Sequence, residues 1–304
     1  MAKGKDVAEK ILEDHNDVFA DIVNNLLFGG EEVIKADELE NAIAVSQLRM
    51  ADGLHEQERD AIKYWKRGAI IIAAIGSENQ SWSDPAMPLR LFSYDGAIYK
   101  GQVNRYNSER RQNLPLSPFY PVVTIVLYFG TTRWNGPRTL RGCFQNVPAK
   151  LEAFIPAYPI HVVEVAFLTP EELGRLKSDF RFVADYLVQT RTTGNYVPSD
   201  DRIVHVDETL KLLSAITGDN RFQESMNAFG ENGKENVTMC EVINNYINQG
   251  RAEGRAEERE QGIQALVEAV RDFTQDRDAA IQRLIRVFSL SPDSAAEKVA
   301  QYWT

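Results

Sequence analysis

The feature that most constrains the fold is an apolar run at residues 70–75, which leads through Gly76 into the polar residues Ser77, Glu78, Asn79 and Gln80. A run that is apolar without alternation is typical of a central strand covered on both faces. Polar chemistry is often displayed where such strands end. "SENQ" is therefore either a functional edge of a sheet or an ordinary exit from a strand into a loop.

The residues around this run predict its neighbours in the fold. Residues 61–65 form a second strand-like segment, separated from a strand at 69–75 by a tight turn at Lys66-Arg67-Gly68. Ser83-Asp84-Pro85 is a helix start signal, because proline is tolerated in the first turn of a helix. Further segments have the spacing of a helix, a short strand and two longer strands, respectively 17–28, 42–48, 121–129 and 161–168.

The second half of the chain differs in character from the first. After Thr169-Pro170 the sequence is mainly helical, and residues 249–262 are charged and low in complexity, which predicts a solvated helix or a linker. The expected fold class is α/β (α+β), with a mixed sheet flanked by helices and then a mainly α-helical C-terminal region. We expect three parts: a sheet domain at 11–165, a helical region at 166–248, and a charged linker with an amphipathic helical segment at 249–304.

Composition excludes several classes of protein. No run of 18 apolar residues and no apolar N-terminal segment occur, so neither a membrane span nor a secretory signal is expected. Two widely spaced cysteines favour a reducing cytoplasm over a disulfide framework. The four histidines form no sequence cluster with these cysteines, so no zinc site is expected.

The charge distribution leaves room for nucleic-acid binding. A net charge of −10 argues against a surface that binds nucleic acid throughout, but not against a local basic groove. Residues 59–111 are the most basic region of the chain. Their cationic side chains form either such a groove or ordinary solvated charges: Arg59, Lys63, Lys66, Arg67, Arg90, Lys100, Arg105, Arg110 and Arg111.

Asp60, Glu78 and Gln80 are the candidate site residues, provided that they share one face of the hairpin. Side chains alternate along a strand, so the sum of paired residue numbers decides which residues share a face. A turn centred on residue 67 or 68 makes this sum even, and Asp60 then lies on the face of Glu78 and Gln80; an odd sum places it on the opposite face. Diagonal neighbours across strands are about 7 to 8 Å apart by backbone, a gap that two carboxylates can close onto one cation.

Two carboxylates held in this way form an oxygen-rich site of the kind that Mg²⁺ prefers. A cation there polarises a scissile phosphate and lowers the pKa of the water that attacks it. The alternatives are that Glu78 is a surface residue at a strand end and that Asp60 is an ordinary solvated charge.

An aspartate, one or two strands, and then E-x-K form the signature of the PD-(D/E)XK nuclease superfamily. Here Asp60 and Glu78 follow that pattern, with Gln80 in place of the lysine. The wider sequence is more specific, because several segments together and in order resemble the Rpn family of recombination-promoting nucleases and putative transposases: "VFADIVNNLLFGGEEVI", "ERDAIKYW", "AIGSENQSWSDPAMPLRLFSYDGAIY", "PVVTIVLYFGTTRW" and "MCEVINNYINQGRAEGRAEE". The resemblance implies a restriction-endonuclease-like fold.

Carried over residue by residue, the resemblance makes Asp60 and Glu78 the ligands of Mg²⁺ or Mn²⁺ and Gln80 the third catalytic residue. A lysine would supply positive charge near the transition state, whereas glutamine can only orient the attacking water by hydrogen bonds. Arg90 and Lys63 are the candidates that could offset the missing charge.

Three further residues are candidate supports of the site. Asp21, on the first helix, matches a position where many superfamily members place another acidic group; alternatively, it faces solvent. Arg90 and Tyr94 are one helical turn apart, so both could face the site. Arg90 is then either a phosphate contact or an ion-pair partner.

Two functions from different classes follow. The first is a metal-dependent DNA endonuclease that hydrolyses phosphodiester bonds, is linked to recombination or mobile DNA, and self-associates as a dimer, since nucleases that cut both strands commonly act in pairs. The second is a catalytically weakened nuclease fold whose helical half serves interaction or oligomerisation. The missing lysine and the negative net charge favour the second.

Overall fold

The computed structural model describes residues 12–42, 45–50, 53–58, 61–225 and 236–303. Its strands, in chain order, are β1 Leu39–Asn41, β2 Val45–Met50, β3 Gly53–Glu58, β4 Ala61–Arg67, β5 Ile70–Gln80, β6 Val122–Tyr128 and β7 His161–Glu164. Its helices are α1 Asn16–Leu26, α2 Met87–Arg111, α3 Ala149–Glu152, α4 Pro170–Arg175, α5 Phe180–Thr193, α6 Val206–Thr217, α7 Met239–Thr274, α8 Arg277–Phe288 and α9 Pro292–Tyr302.

The main sheet has five strands in the order β1-β4-β5-β6-β7. β4 is antiparallel to β1 and β5, whereas β6 is parallel to β5 and β7. β2 and β3 form a separate antiparallel pair. The apolar run of the sequence lies in the central strand β5, because only a central strand needs apolar side chains on both faces. The predicted mixed sheet is confirmed.

Helices cover both faces of this sheet. On one face, α1 packs its apolar side against odd-numbered residues of β4 and β5, in a cluster that includes Phe19, Val23, Ala61, Ala73 and Ile75. On the other face, α2 packs against β6 in a cluster that includes Met87, Leu91, Val126, Tyr128 and Trp134. The predicted α+β layering is therefore confirmed.

The turn between β4 and β5 lies later than the sequence analysis placed it. β4 continues through Arg67, and the turn is made by Gly68 and Ala69. Gly68 has φ +59, a conformation that glycine adopts without the steric cost of a Cβ atom. The prediction of a turn at Lys66-Arg67-Gly68 was wrong because the polar residues Lys66 and Arg67, which end β4, resemble turn residues in the sequence.

Two further strand predictions needed correction. The single short strand expected at 42–48 is replaced by β1 and by the β2–β3 pair. The strand expected at 161–168 ends at Glu164, and the buried Val165 and Ala166 form a 3-10 turn instead. The chain leaves the sheet there because Thr169 and Glu172 form a capping box that begins α4.

The chain divides into two compact units, Met1–Cys240 and Glu241–Thr304. The C-terminal unit contains most of α7 together with α8 and α9, which share a core that includes Ile263, Val267, Leu284 and Val299. The charged stretch at 249–262 is part of the continuous helix α7, not a linker without structure. Among the helices of the described ranges, none is long and apolar enough to cross a membrane.

Candidate active site

The four polar residues that end β5 are all buried. Ser77, Glu78, Asn79 and Gln80 expose between 1% and 6% of their surface. Because a buried polar side chain is costly unless it is hydrogen-bonded, the partners of these residues determine what the strand end does. Glu78 is therefore not a surface residue at a strand exit.

A β-bulge decides which residues of β4 share the face of Glu78. Next to the turn, Arg67 pairs with Ile70 and Lys66 with Ile71, so that paired numbers have an odd sum. The register shifts between Trp65 and Lys66, where β5 contains one extra residue. From Trp65 to the pair Ala61–Ser77, the sum of the paired residue numbers is even. The N-terminal part of β4 thus has the parity that a shared carboxylate site requires. Asp60 itself lies outside the described residues.

On the even-numbered face, Glu78 lies against a guanidinium group. Glu78 Oε1 accepts a hydrogen bond from Arg90 Nη2 and a longer one, 3.3 Å, from Gln80 Nε2. Arg90 also donates to Tyr94 Oη at 3.3 Å. The sequence prediction that Arg90 and Tyr94 face Glu78 from one side of a helix matches this arrangement of side chains.

The start of α2 holds Arg90 in place. Asp84 Oδ1 accepts a hydrogen bond from the Ala86 backbone at 2.8 Å, and Asp84 Oδ2 accepts one from Arg90 Nη1 at 3.0 Å. Burial lowers the pKa of Arg90, but Glu78, Tyr94 and Asp84 together outweigh burial, and the pKa is raised overall. The guanidinium is therefore a permanent positive charge beside Glu78.

A second buried carboxylate on the inner side of α2 has a structural role. Asp95 accepts hydrogen bonds from the hydroxyls of Thr124, at 2.9 Å, and Tyr158, at 2.5 Å. These bonds tie α2 to β6 and to the loop before β7. Asp95 therefore fixes the helix that carries Arg90.

On the odd-numbered face, Ser77 and Asn79 both donate to Glu13. The Ser77 hydroxyl and the Asn79 amide, at 3.2 Å, share Glu13 Oε2 as acceptor. Glu13 is 2% exposed and lies in the helical residues just before α1. Sequence analysis missed it; its only signal was an acidic residue between the apolar Leu12 and the start of a helix.

Lys63 belongs to this odd-numbered face and not to the face of Glu78. Its ammonium donates to the Asp14 carbonyl at 2.7 Å, Asn16 Oδ1 at 2.8 Å and Asn41 Oδ1 at 2.5 Å. Burial lowers its pKa, against the opposing effect of nearby carboxylates such as Glu13. Of the two cations that could replace the missing lysine, the structure brings only Arg90 to Glu78.

Asp21 is not brought to Glu78 either. Its carboxylate accepts hydrogen bonds from the backbone N–H groups of Lys177 and Ser178, at 2.9 and 2.8 Å, and from the Asn25 amide. α1 packs on the opposite face of the sheet, so the periodicity that placed Asp21 on this helix could not place it at the strand end. Asp21 fixes the segment between α4 and α5.

Several cationic side chains of the basic region predicted at 59–111 are paired or buried in the fold. Lys63 is buried, Arg90 is paired with Glu78 and Asp84, and Lys66 is paired with Glu40 at 2.5 Å. Arg105 lies 3.8 Å from Glu109. Three of the cationic side chains of this region thus serve as ion-pair partners and a fourth is buried, so a continuous basic groove does not follow from their spacing.

Comparison with known proteins identifies the family. A family model described as "Putative transposase, YhgA-like" matches residues 66–218, half of the chain, including Glu78, Gln80, Arg90 and Tyr94. No curated protein and no solved structure matches the chain. The resemblance to Rpn-type transposases drawn from the sequence motifs is confirmed, and the chain belongs to the YhgA-like putative transposase family.

Proposed function

We propose that this protein is a metal-dependent DNA endonuclease that hydrolyses phosphodiester bonds, with a role in recombination or in mobile DNA. The observation that carries the proposal is the group of Glu78, Gln80 and Arg90, in which a buried carboxylate, an amide and a cation meet on one face of a strand end. Membership in a transposase family supports DNA as the substrate.

The residues of this face fit a hard divalent cation. Glu78 supplies a carboxylate oxygen, the donor type that Mg²⁺ and Mn²⁺ prefer, and the sequence motif supplies Asp60 as the proposed second ligand. When bound, the cation would polarise the scissile phosphate and lower the pKa of the attacking water. The cation would share the Glu78 carboxylate with Arg90, which donates to Oε1.

Arg90 then has two duties in the proposed reaction. In the absence of metal its guanidinium satisfies Glu78, and during the reaction it faces the charge that develops on the phosphate. Asp84 and Tyr94 keep the guanidinium in position through either state. Gln80 orients the water through its side-chain amide.

The nucleic-acid strand meets the protein next to this face. Trp82 follows Gln80 by two residues and is 56% exposed, which suits stacking on a base. Trp134, in contrast, is buried against Tyr128 and has a structural role. Two copies of the chain act together on the two strands of DNA, in the cytoplasm, whose reducing conditions suit the two cysteines.

A nicking assay tests the proposal. Supercoiled plasmid is incubated with the purified chain and Mg²⁺ or Mn²⁺, and the loss of supercoiled DNA is compared for wild type and Glu78→Ala. Glu260→Gln is the matched control, because Glu260 is also a carboxylate with a cationic partner, Lys298, but lies in the C-terminal unit. We expect cutting by wild type and Glu260→Gln and none by Glu78→Ala; equal cutting by all three overturns the proposal.

A second candidate function has one observation in its favour. Arg90 already occupies the Glu78 carboxylate that a metal needs, and no lysine stands two residues after Glu78. The protein would then be a weakened nuclease that acts through association. Absence of metal-dependent cutting by wild type, together with concentration-dependent dimerisation, would support this function.

A further inference from the structure

Two histidines and two carboxylates meet where two helices begin. His15 and Asp17 lie at the start of α1, and His205 and Glu208 lie at the start of α6. His205 Nε2 is 2.9 Å from Asp17 Oδ2, and His15 Nε2 is 3.6 Å from Glu208 Oε1. We name these four residues the His–carboxylate cluster; its two halves are far apart in the sequence, which is why sequence spacing predicted no zinc site.

The cluster is compact and reachable from solvent. The ligand atoms of His15, Asp17 and His205 all lie within 4.8 Å of one another. The two imidazole rings stack, with centroids 3.8 Å apart and an angle of 23° between their planes. The side chains range from 18% exposed for His205 to 55% exposed for Asp17, so an ion can enter without unfolding the protein.

We propose that the His–carboxylate cluster binds a divalent transition-metal ion, with Zn²⁺ as its best match. Imidazole nitrogen together with carboxylate oxygen suits Zn²⁺, whereas Mg²⁺ and Ca²⁺ prefer oxygen ligands alone. Bonds of about 2.0 to 2.2 Å in a tetrahedral site place ligand atoms about 3.3 to 3.6 Å apart. Two of the separations, 2.9 and 3.6 Å, lie close to that range. The stacked imidazole rings would rotate out of their stack to direct a nitrogen of each at one ion.

The carboxylates of the cluster offset the positive charge of the two helix starts. The starts of α1 and α6 carry partial positive charge, which opposes a cation. Asp17 and Glu208 offset it, and the Asp179 carboxylate, which accepts hydrogen bonds from the Val204 and His205 backbones, adds a further negative charge nearby. Histidines alone would therefore not hold a cation here, and the site depends on both ligand types.

The position of the cluster gives the ion a structural purpose. His15 directly follows Asp14, whose carbonyl accepts a hydrogen bond from Lys63, and lies two residues after Glu13. An ion bound to both helix starts would join this segment to α6. It would hold Glu13 and Lys63 in place on the odd-numbered face of the sheet. This ion would be separate from the cation of the proposed active site on the even-numbered face.

Spectroscopic titration tests this proposal without using DNA cleavage. The full-length chain is freed of metal with a chelator and titrated with Co²⁺, whose visible ligand-field bands are intense in a tetrahedral site. We expect one equivalent of Co²⁺ to saturate the tetrahedral bands, Zn²⁺ to abolish them, and excess Mg²⁺, which competes for the oxygen ligands of the proposed active site, to leave them in place. Glu78→Ala, which removes a ligand of the proposed active-site cation, should give the same tetrahedral bands as wild type, so this readout is independent of the proposed nuclease activity.

Substitutions of the proposed ligands test which residues bind the ion. His205→Ala and His15→Ala should each weaken Co²⁺ binding at least tenfold, whereas the matched control His161→Ala, an exposed histidine on β7, should bind like wild type. If the histidine variants fail to fold, Asp17→Asn gives the answer, because this half-exposed side chain is not part of a core; it should also weaken binding tenfold or more. Binding unchanged by His205→Ala or Asp17→Asn, or bands absent in wild type, overturns the proposal.

Discussion

The two faces at the end of β5 carry similar residues but hold them differently. On the odd-numbered face, Ser77 and Asn79 both donate to the buried Glu13, and Lys63 next to them makes three hydrogen bonds inside the protein. On the even-numbered face, Glu78 meets Arg90, whose side chain is 37% exposed. One network is closed within the core, and the other connects a buried carboxylate to solvent.

This difference shows that burial of polar side chains does not by itself mark an active site. Both networks are buried, and both include a carboxylate near a cation. Of the four charged residues Glu13, Lys63, Glu78 and Arg90, only Arg90 reaches solvent and can therefore meet a substrate. The odd-numbered network serves to anchor the N-terminal residues on the sheet.

The largest expected effect is on stability, and it follows from removing Lys63 from the odd-numbered network. Lys63→Ala removes a buried ammonium and its three hydrogen bonds, to the Asp14 carbonyl, Asn16 and Asn41, and should lower the free energy of unfolding by about 3 kcal/mol. Lys66→Ala is the matched control on the same strand, because its ion pair with Glu40 is at the surface, and it should cost less than about 1 kcal/mol. Urea denaturation of both variants measures this difference; equal costs would show that the odd-numbered network is not a stabilising one.

The next effect is on chemistry and concerns the open network. Arg90→Ala should reduce the rate of plasmid nicking about 100-fold, equivalent to about 2.7 kcal/mol, because it removes the charge that stands in for the missing lysine. Arg90→Lys should recover part of the rate. Arg141→Ala, which removes an arginine paired with Glu152, is the control. A faster rate in Arg90→Ala would mean that Arg90 blocks the metal ligand, as the weakened-nuclease function requires.

The smallest expected effect appears at alkaline pH on the even-numbered face. Burial, then the neighbouring Tyr64, raises the pKa of Tyr120 from 10.0 to about 12. Below pH 10 both folded and unfolded states keep this proton; as the pH rises from 10 toward 12 the unfolded state loses it first, so stability falls. The loss should be on the order of 2 kcal/mol. In Tyr120→Phe, the free energy of unfolding measured by urea denaturation should change little as the pH rises from 10 toward 12. A fall with pH as steep as that of wild type would contradict the assignment.

The sequence predicted the layers of the fold better than the details of the site. The apolar run of β5, the strand β6 and the helix after Asp84 each have strong local signals, and the structure contains all three elements, although the helix begins at Met87 and its first-turn proline is Pro88 instead of Pro85. The bulge next to Trp65 has no such signal, because it depends on how β5 packs on both faces. Yet this bulge sets the parity of β4.

Tertiary contacts were the other source of error. Periodicity placed Asp21 on a helix correctly, but it could not show that the carboxylate would cap the residues before α5. Glu13 and Lys63 find their partners through long-range contacts, and the meeting of His15 with His205 joins residues from opposite ends of the N-terminal unit. None of these contacts leaves a pattern in neighbouring residues.

The most direct test compares neighbours on opposite faces of β5, Glu78→Ala and Asn79→Ala, for stability and for metal-dependent plasmid nicking per folded molecule. We predict that Glu78→Ala stays folded and loses nicking by a factor of about 1,000 or more, because it removes a metal ligand. Asn79→Ala should lose about 1 to 2 kcal/mol of stability, because it breaks a buried hydrogen bond to Glu13, and nick DNA at the wild-type rate. Equal nicking by Glu78→Ala and wild type, or an equal loss of nicking in both variants, would contradict the division of roles between the two faces.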